Sequence, residues 1–143
     1  MIIIKVLKAD DLERIELQKE QIYMQNILNK NYNLFLSQEF SFTIFNENKQ
    51  ILACAGLVHE DINRAYAWIL LSKYVRYELI SFHRKIKDFL ALASYKRIET
   101  LAISNFPAGI RWLKLLNFYH EGQLKHFYDY GQHAELFAKY NNI

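Results

Sequence analysis

A strand, a long amphipathic helix and a second strand follow one another in mid-chain, and this succession constrains the fold most. Residues 65–71, Ala-Tyr-Ala-Trp-Ile-Leu-Leu, are almost uninterruptedly apolar, which is typical of a strand buried on both faces. Apolar side chains then recur at helical spacing from Leu79 to Ala93, and residues 97–103 form a second strand pattern. Because such a crossover joins parallel strands, we predict that 65–71 and 97–103 run parallel in one sheet.

The first forty residues predict a strand followed by helical segments. Residues 2–7 are rich in β-branched side chains, and Asp10-Asp11 directly after them can cap and charge the start of a helix. Helical apolar spacing then runs through Leu12, Ile15, Ile22, Tyr23, Ile27 and Leu28. We predict one or two helices here, ending near the turn residues at 29–31.

Three strand patterns joined by short polar turns come next. Residues 40–44 alternate between apolar and polar side chains, which is the period of a half-buried strand. A polar turn at 46–49 leads into the apolar run 51–58, and a second turn at 60–63 leads into 65–71. We predict three antiparallel strands, the last of which is central in the sheet.

The last third of the chain adds a short helix and two strands. Four apolar side chains mark one face of the helix, namely Ala108, Trp112, Leu115 and Leu116. Asn117 follows, and asparagine tolerates the left-handed backbone conformation that often ends a helix. Two aromatic-rich strands, about 118–128 and 133–140, close the chain around a turn at 129–131.

The composition fits one folded domain without internal repeats. In 143 residues, 52% hydrophobic side chains supply ample core material, and only 4 Gly and 1 Pro favour regular elements joined by short turns. We therefore predict a single α/β domain over residues 1–143, with a mixed, mostly antiparallel, twisted sheet flanked by helices.

Charge and cysteine content bear on compartment and partners. The net charge of +3 is too small a bias to require nucleic acid or membrane, and a solvated helix face explains Arg84, Lys85 and Lys87. No run approaches the roughly 20 apolar residues that span a bilayer. The lone Cys54 lies in an apolar strand pattern without disulfide or zinc spacing, which indicates a buried small side chain. We predict a cytoplasmic protein without bound metal.

The element order and the segment that begins at Asn105 resemble the GNAT N-acetyltransferase superfamily. Asn105-Phe106-Pro107-Ala108, the helix after it, and Leu116-Asn117-Phe118 through Gly122 are similar to its final segment, Asn-x-x-Ala, helix, Leu-Gly-Phe-x-x-Glu-Gly. Asn117 stands where Gly is usual. The resemblance implies a GNAT-like fold, acetyl-CoA as cofactor, and N-acetyltransferase activity on an unidentified amine. It also implies that Asn105 contacts the cofactor.

The same resemblance implies where acetyl-CoA binds. Pantetheine would meet the backbone of the central strand at Ile69 and Leu71, and the pyrophosphate would meet backbone N–H groups at a helix N-terminus. The superfamily loop is Arg/Gln-x-x-Gly-x-Gly/Ala, and the sequence from Arg76 to Ser81 reads Arg-Tyr-Glu-Leu-Ile-Ser. Arg76 and Ser81 match this pattern. Leu79 stands at the central Gly, where its bulk opposes the approach of phosphate.

The catalytic residues that the resemblance implies are few. The superfamily uses a carboxylate or water relay near the central strand as base, and Glu60, next to His59 before that strand, is the candidate. A solvated turn residue is the alternative. The tyrosine that often protonates the thiolate falls at Trp112 or Leu113, which cannot do so. The closing strands also carry three histidines, interpreted as exposed side chains rather than a metal or catalytic cluster: His120, His126 and His133.

A narrower resemblance leaves a second function open. Trp68, the glycine-poor loop 76–81 and Asn105-Phe106-Pro107-Ala108 are similar to GNAT-like phage proteins related to an internal virion protein of podophages. This resemblance implies a catalytically silent protein, located in a virion, that binds another protein through its aromatic closing strands and a basic helix face. The partner is then a protein rather than an amine substrate. A homodimer is left open by the sequence.

Overall fold

The computed structural model describes residues 2–26, 29–38 and 40–141. Its elements are β1 (Ile3–Val6), α1 (Ala9–Arg14), a 3-10 helix (Lys19–Asn26), α2 (Lys30–Gln38), β2 (Phe40–Phe45), β3 (Ile51–Asp61), β4 (Arg64–Leu71), a 3-10 helix (Val75–Tyr77), α3 (Leu79–Leu92), β5 (Arg97–Ile103), α4 (Pro107–Leu115), β6 (Tyr119–Leu124), a 3-10 helix (Asp129–Gly131) and β7 (Ala134–Tyr140). The predicted order of strands and helices is confirmed. None of the helices in these ranges is long and apolar enough to cross a membrane.

Seven strands of the described chain form one mixed sheet in the order β1-β2-β3-β4-β5-β7-β6. β4 is the fourth of the seven, as predicted for the central strand. β1 with β2, β2 with β3, β5 with β7, and β6 with β7 all pair antiparallel. β4 and β5 are parallel, which confirms the crossover, and their register runs from Arg64 opposite Arg97 to Tyr66 opposite Glu99.

Contacts within the chain divide it into two compact units. The first comprises Met1–Val58 and Trp68–Leu92, and the second comprises His59–Ala67 and Ala93–Ile143. The first unit has an apolar core of Leu7, Leu12, Ile15, Leu36, Ile51, Cys54 and Leu70. The second unit has its own fully buried side chains, among them Ile98 and Phe137. The single-domain organisation of residues 1–143 stays a prediction.

The helices before β2 differ from the predicted ones. α1 begins after Lys8, whose N–H donates to Asp11 Oδ2 at 3.0 Å. The predicted turn at 29–31 instead begins α2, because Asn29 Oδ1 accepts the N–H of Tyr32 at 2.9 Å as a helix cap. Asparagine favours turns and N-caps alike, so the sequence pattern misplaces this boundary. Three predicted helix positions lie outside the described side chains: Tyr23, Ile27 and Leu28.

The hairpin from β3 to β4 is tighter than predicted. β3 extends to Asp61, so Glu60 lies on the strand and the turn is only Ile62-Asn63. β4 was predicted to be buried on both faces, but residues 66–69 are only half-buried. The apolar character of this stretch therefore overstates its burial.

The end of α4 confirms one prediction and corrects another. Asn117 has a φ of 68°, the predicted left-handed conformation. The N–H groups of Asn117 and Phe118 donate to the carbonyls of Lys114 and Leu113, each at 3.0 Å, which is the Schellman arrangement. Two of the four side chains predicted on the buried face are exposed, namely Ala108 and Leu115, the latter to 68%, whereas Leu113 is buried. The main-chain bond of the Schellman turn thus joins two buried residues, Leu113 and Phe118.

Candidate functional site

The carboxyl end of the central strand β4 contains the residues predicted to bind pantetheine, Ile69 and Leu71. We call the main chain of these two residues the β4 edge. Gln21, in the 3-10 helix Lys19–Asn26, pairs with this edge through its side-chain amide. Its Nε2 donates to the Ile69 carbonyl at 3.0 Å, and its Oε1 accepts the N–H of Leu71 at 2.6 Å. The main-chain N–H of Gln18 also donates to the Leu71 carbonyl, at 2.9 Å. The β4 edge therefore holds a carboxamide in the folded chain.

Gln21 fits this place because a carboxamide offers one acceptor and two donors in the same plane, much as a peptide group does. Partly buried main-chain groups need such partners. The sequence carries no signal for this contact, since a glutamine among charged residues indicates only a solvated helix face. Gln21 is thus a candidate site residue that the sequence did not indicate.

The predicted pyrophosphate loop lies at the start of α3. Arg76 is exposed in the 3-10 helix Val75–Tyr77, where its Nη2 donates to the Tyr77 hydroxyl at 2.6 Å and its guanidinium lies 4.8 Å from the centre of that ring. Ser81 is exposed in the first turn of α3, whose leading N–H groups have no partner within the helix. Leu79 is 56% exposed, which corrects its predicted place on the buried face. That face is formed by Phe82, Ile86 and Leu90.

Asn105 lies in the turn between β5 and α4 and is exposed. α4 begins at Pro107 with Phe106 as its N-cap and without a side-chain cap bond, so Asn105 does not cap this helix. Gly109 makes room for the Phe106 ring, since a Cβ at Gly109 would lie 2.6 Å from it. The side-chain amide of Asn105 has no hydrogen-bond partner in the described part of the chain.

Glu60, the predicted base, is exposed on β3 and makes no hydrogen bond with the described residues. Its neighbour His59 places Nδ1 at 2.9 Å from the Tyr95 hydroxyl. The structure thus brings four predicted residues into the first unit, around β4 and the start of α3: Ile69, Leu71, Arg76 and Ser81. Glu60 and Asn105 belong to the second unit. The catalytic and cofactor-binding roles of all six stay predictions.

The second unit contains a cavity of about 310 Å³, which we call the α4 pocket. Its lining is mostly polar and consists of Ser104, Ile110, Lys114, His120, Gln123, Glu135 and Phe137. Glu135 accepts hydrogen bonds from Ser104 Oγ at 2.5 Å, from His120 Nε2 at 2.8 Å and from Gln123 Nε2 at 3.0 Å. These donors, Ser104 foremost, hold the pKa of Glu135 below its ordinary value although partial burial opposes them.

Two of the histidines predicted on the closing strands, His126 and His133, instead lie outside β6 and β7 and contact each other. His126 donates its main-chain N–H to His133 Nδ1 at 2.8 Å, and the two rings lie 5.0 Å apart. Among the described residues, no group of three or more His, Cys, Asp or Glu is placed to hold a metal ion. Cys54 is fully buried, and burial raises the pKa of its thiol to about 12, so it is a neutral core side chain, as predicted.

Solved structures with the same fold include N-acetyltransferases. Ard1 from Thermoplasma volcanium matches with a TM-score of 0.78 and 12% identity over 99% of both chains. The ribosomal-protein-S18-alanine N-acetyltransferase from Escherichia coli matches with a TM-score of 0.75 and 14% identity, over 100% of this chain and 96% of that one. A GNAT superfamily phosphinothricin acetyltransferase from Sinorhizobium meliloti, solved in complex with AcCoA, matches with a TM-score of 0.71 and 14% identity, over 97% and 88%.

No family model and no curated protein matches the sequence. The similarity to the narrower phage group stays a prediction. The likeness to the solved structures covers nearly the whole of each chain and extends through all the elements described above. The chain has the fold of the GNAT N-acetyltransferases.

Proposed function

We propose that this chain is an acetyl-CoA-dependent N-acetyltransferase that acts on an amine. The observation that carries the proposal is the carboxamide of Gln21 at the β4 edge, bonded to Ile69 and Leu71. The pantetheine arm of acetyl-CoA contains amides with the same donor and acceptor groups. The edge therefore fits a pantetheine amide, and Gln21 stands in for it in the folded chain.

When bound, acetyl-CoA supplies an acetyl group activated as a thioester. Ile69 and Leu71 orient its arm by main-chain hydrogen bonds, which lowers the entropic cost of the reaction. Arg76, once it leaves Tyr77, and the leading N–H groups of α3 near Ser81 provide positive charge for phosphate. Asn105 contacts the cofactor with an amide that both donates and accepts.

The remaining chemical task is removal of a proton from the ammonium group of the acceptor. Glu60 is the predicted base, and its exposure on β3 leaves its carboxylate accessible to a solvent-borne amine. We expect Glu60→Gln to lower kcat while the affinity for acetyl-CoA is unchanged. Equal kcat for the variant and the wild type, measured by thiol release with a panel of primary amines, would remove Glu60 from this role.

Gln21 makes the proposal testable because it competes with the cofactor. When an amide of acetyl-CoA displaces Gln21, the two hydrogen bonds of Gln21 are lost, each with a net contribution of about 0.5–1.5 kcal/mol. We expect calorimetric titration to show acetyl-CoA and CoA binding about ten-fold more tightly to Gln21→Ala than to the wild type. The proposal fails if neither protein, both folded by circular dichroism, binds acetyl-CoA or CoA.

Gln18→Ala is the matched control. It removes a glutamine side chain from the same segment but keeps the main-chain bond from Gln18 N–H to the Leu71 carbonyl. Its affinity for acetyl-CoA should equal that of the wild type. An increase in both variants would indicate general loosening of the segment rather than competition by the Gln21 amide.

A further inference from the structure

We propose that the α4 pocket binds a small molecule that carries both a primary ammonium group and a carboxylate, such as a free α-amino acid. The pocket contains none of the residues assigned above to acetyl-CoA or to the base, and its occupation does not require acetyl transfer. Its volume of about 310 Å³ lies at the lower end of the range for small-molecule sites, roughly 300–1,000 Å³. A ligand of amino-acid size matches this volume.

The hydrogen bonds inside the pocket determine which donors and acceptors remain available to a ligand. An ionised carboxylate only accepts, so the ring nitrogen Nε2 of His120 carries a proton, and the amide of Gln123 turns its nitrogen toward Glu135. Ser104 also donates its hydroxyl proton to Glu135. Each of these three side chains therefore uses one of its hydrogen-bond donors in the bond to Glu135. Besides the second N–H of the Gln123 amide, they leave two acceptors in the pocket: Oε1 of Gln123 and the lone pairs of Ser104 Oγ.

An ammonium group complements this arrangement. It has three donors and no acceptor, and Glu135 adds the negative charge that strengthens such bonds. Glu135 accepts three hydrogen bonds and retains one further lone-pair position for a ligand. The acceptors of the pocket thus select a cationic, donor-rich group over an anion or a neutral carbonyl compound.

Lys114 adds the opposite charge at the same pocket. It is exposed on α4, and no carboxylate of the described residues lies within ion-pair distance of its Nζ. A simple amine would be repelled by Lys114, and a simple carboxylate would be repelled by Glu135. A molecule with both groups pairs with each residue and leaves the pocket neutral. Ile110 and Phe137 line the remaining wall, which suits a short aliphatic side chain.

Calorimetric titration of the full chain, without acetyl-CoA, tests this inference. The probes are L-alanine, L-valine and L-leucine, with n-butylamine and butyrate as molecules that carry only one of the two charges. We expect saturable binding of at least one amino acid at millimolar concentration, and affinity about ten-fold weaker for both single-charge probes. Absence of saturable amino-acid binding, or equal affinity for n-butylamine, would overturn the inference. Neither outcome touches the proposed acetyl transfer, because acetyl-CoA is left out.

Two variants locate the binding. Lys114→Met should weaken amino-acid binding about ten-fold without weakening that of n-butylamine, and its exposed position leaves the fold intact. Glu135→Gln should also weaken amino-acid binding; because it removes charge-assisted hydrogen bonds, its melting temperature is measured alongside. Lys125→Met, at an exposed lysine outside the pocket, is the control. Equal amino-acid affinity in the wild type and Lys114→Met would place the binding elsewhere and overturn the assignment.

Discussion

The β4 edge and the α4 pocket satisfy their polar groups in opposite ways. At the edge, the Gln21 amide fills main-chain donor and acceptor positions of Ile69 and Leu71. In the pocket, polar side chains hydrogen-bond one carboxylate, Glu135, while the ammonium group of Lys114 has no ion-pair partner among the described residues. In the proposed function, an amide of acetyl-CoA replaces the Gln21 amide at the β4 edge. In the α4 pocket, the proposed amino acid pairs with hydrogen-bonding positions that no described residue occupies.

The comparison also separates two costs of mutation. The bonds at the β4 edge are neutral, and they join the Gln21 amide to the half-buried Ile69 and the buried Leu71. The α4 pocket adjoins the core of the second unit, because one of its lining residues, Phe137, is fully buried. The four predictions below test this contrast, in order of decreasing effect on the free energy of unfolding.

Truncation of the pocket wall has the largest expected effect. Phe137→Ala leaves a cavity in a fully buried position and should lower the free energy of unfolding by about 3–5 kcal/mol in urea denaturation. Gln21→Ala should lower it by only about 1–3 kcal/mol, the contribution of two neutral hydrogen bonds. Phe127→Ala, at an exposed phenylalanine of the same unit, is the control. Equal losses for Phe137→Ala and Gln21→Ala would contradict the assignment of the larger stabilisation to the second unit.

Acid should weaken the second unit through Glu121 of β6. Arg97 donates to this carboxylate at 2.9 Å and the Tyr140 hydroxyl also donates to it, and these donors, Arg97 foremost, lower the pKa of Glu121 to about 2. The folded pKa lies below the ordinary value of about 4.3, so the stabilisation is present above about pH 4.3 and is lost as the pH falls toward 2. The neutral hydrogen bonds of the β4 edge contribute no such dependence.

Thermal unfolding measured across this acid range should therefore distinguish Glu121→Gln from the wild type. The variant should show a shallower loss of stability below about pH 4.3, because its amide does not titrate. Glu13→Gln, at an exposed glutamate of α1, is the control. Parallel acid limbs for Glu121→Gln and the wild type would contradict the assignment.

Leu79→Gly tests whether the start of α3 in the first unit binds phosphate. Glycine at the exposed first residue of α3 should cost at most about 1 kcal/mol of stability, and it should strengthen acetyl-CoA binding by letting phosphate approach the backbone. Leu92→Gly, at the exposed last residue of the same helix, should cost a similar amount without any gain in affinity. Unchanged affinity of a folded Leu79→Gly would show that this loop is not used.

Asn105→Asp has the smallest expected effect on stability. Asn105 is exposed and caps no helix, so the melting temperature should stay that of the wild type. Ionised aspartate cannot donate, so acetyl-CoA affinity should fall by about 1–3 kcal/mol if the amide contacts the cofactor. Calorimetry that shows equal affinity for both proteins would remove Asn105 from the cofactor site.

Local rules account for the parts of the fold that were predicted. Strand periodicity, the apolar run before α3 and the left-handed Asn117 each depend on residues close together in the chain. The parallel pairing of β4 and β5 followed from the handedness of crossovers, which is also a general rule. A prediction failed where a residue type fits two local structures. Asn29 caps α2, although the asparagines at 29 and 31 predicted a turn.

The sequence by itself determined the order and type of the elements, and with them the fold class. Only the tertiary structure decided the two sites. Gln21 meets Ile69 and Leu71 from 48 and 50 residues away, and Glu135 meets Ser104 across 31 residues. The register of β6 against β7, which sets His120 and Gln123 beside Glu135, depends on an irregularity between His120 and Gly122. A one-residue slip in this register would turn these side chains to the opposite face of the sheet. No local sequence pattern specifies the register, because the packing of the whole sheet sets it.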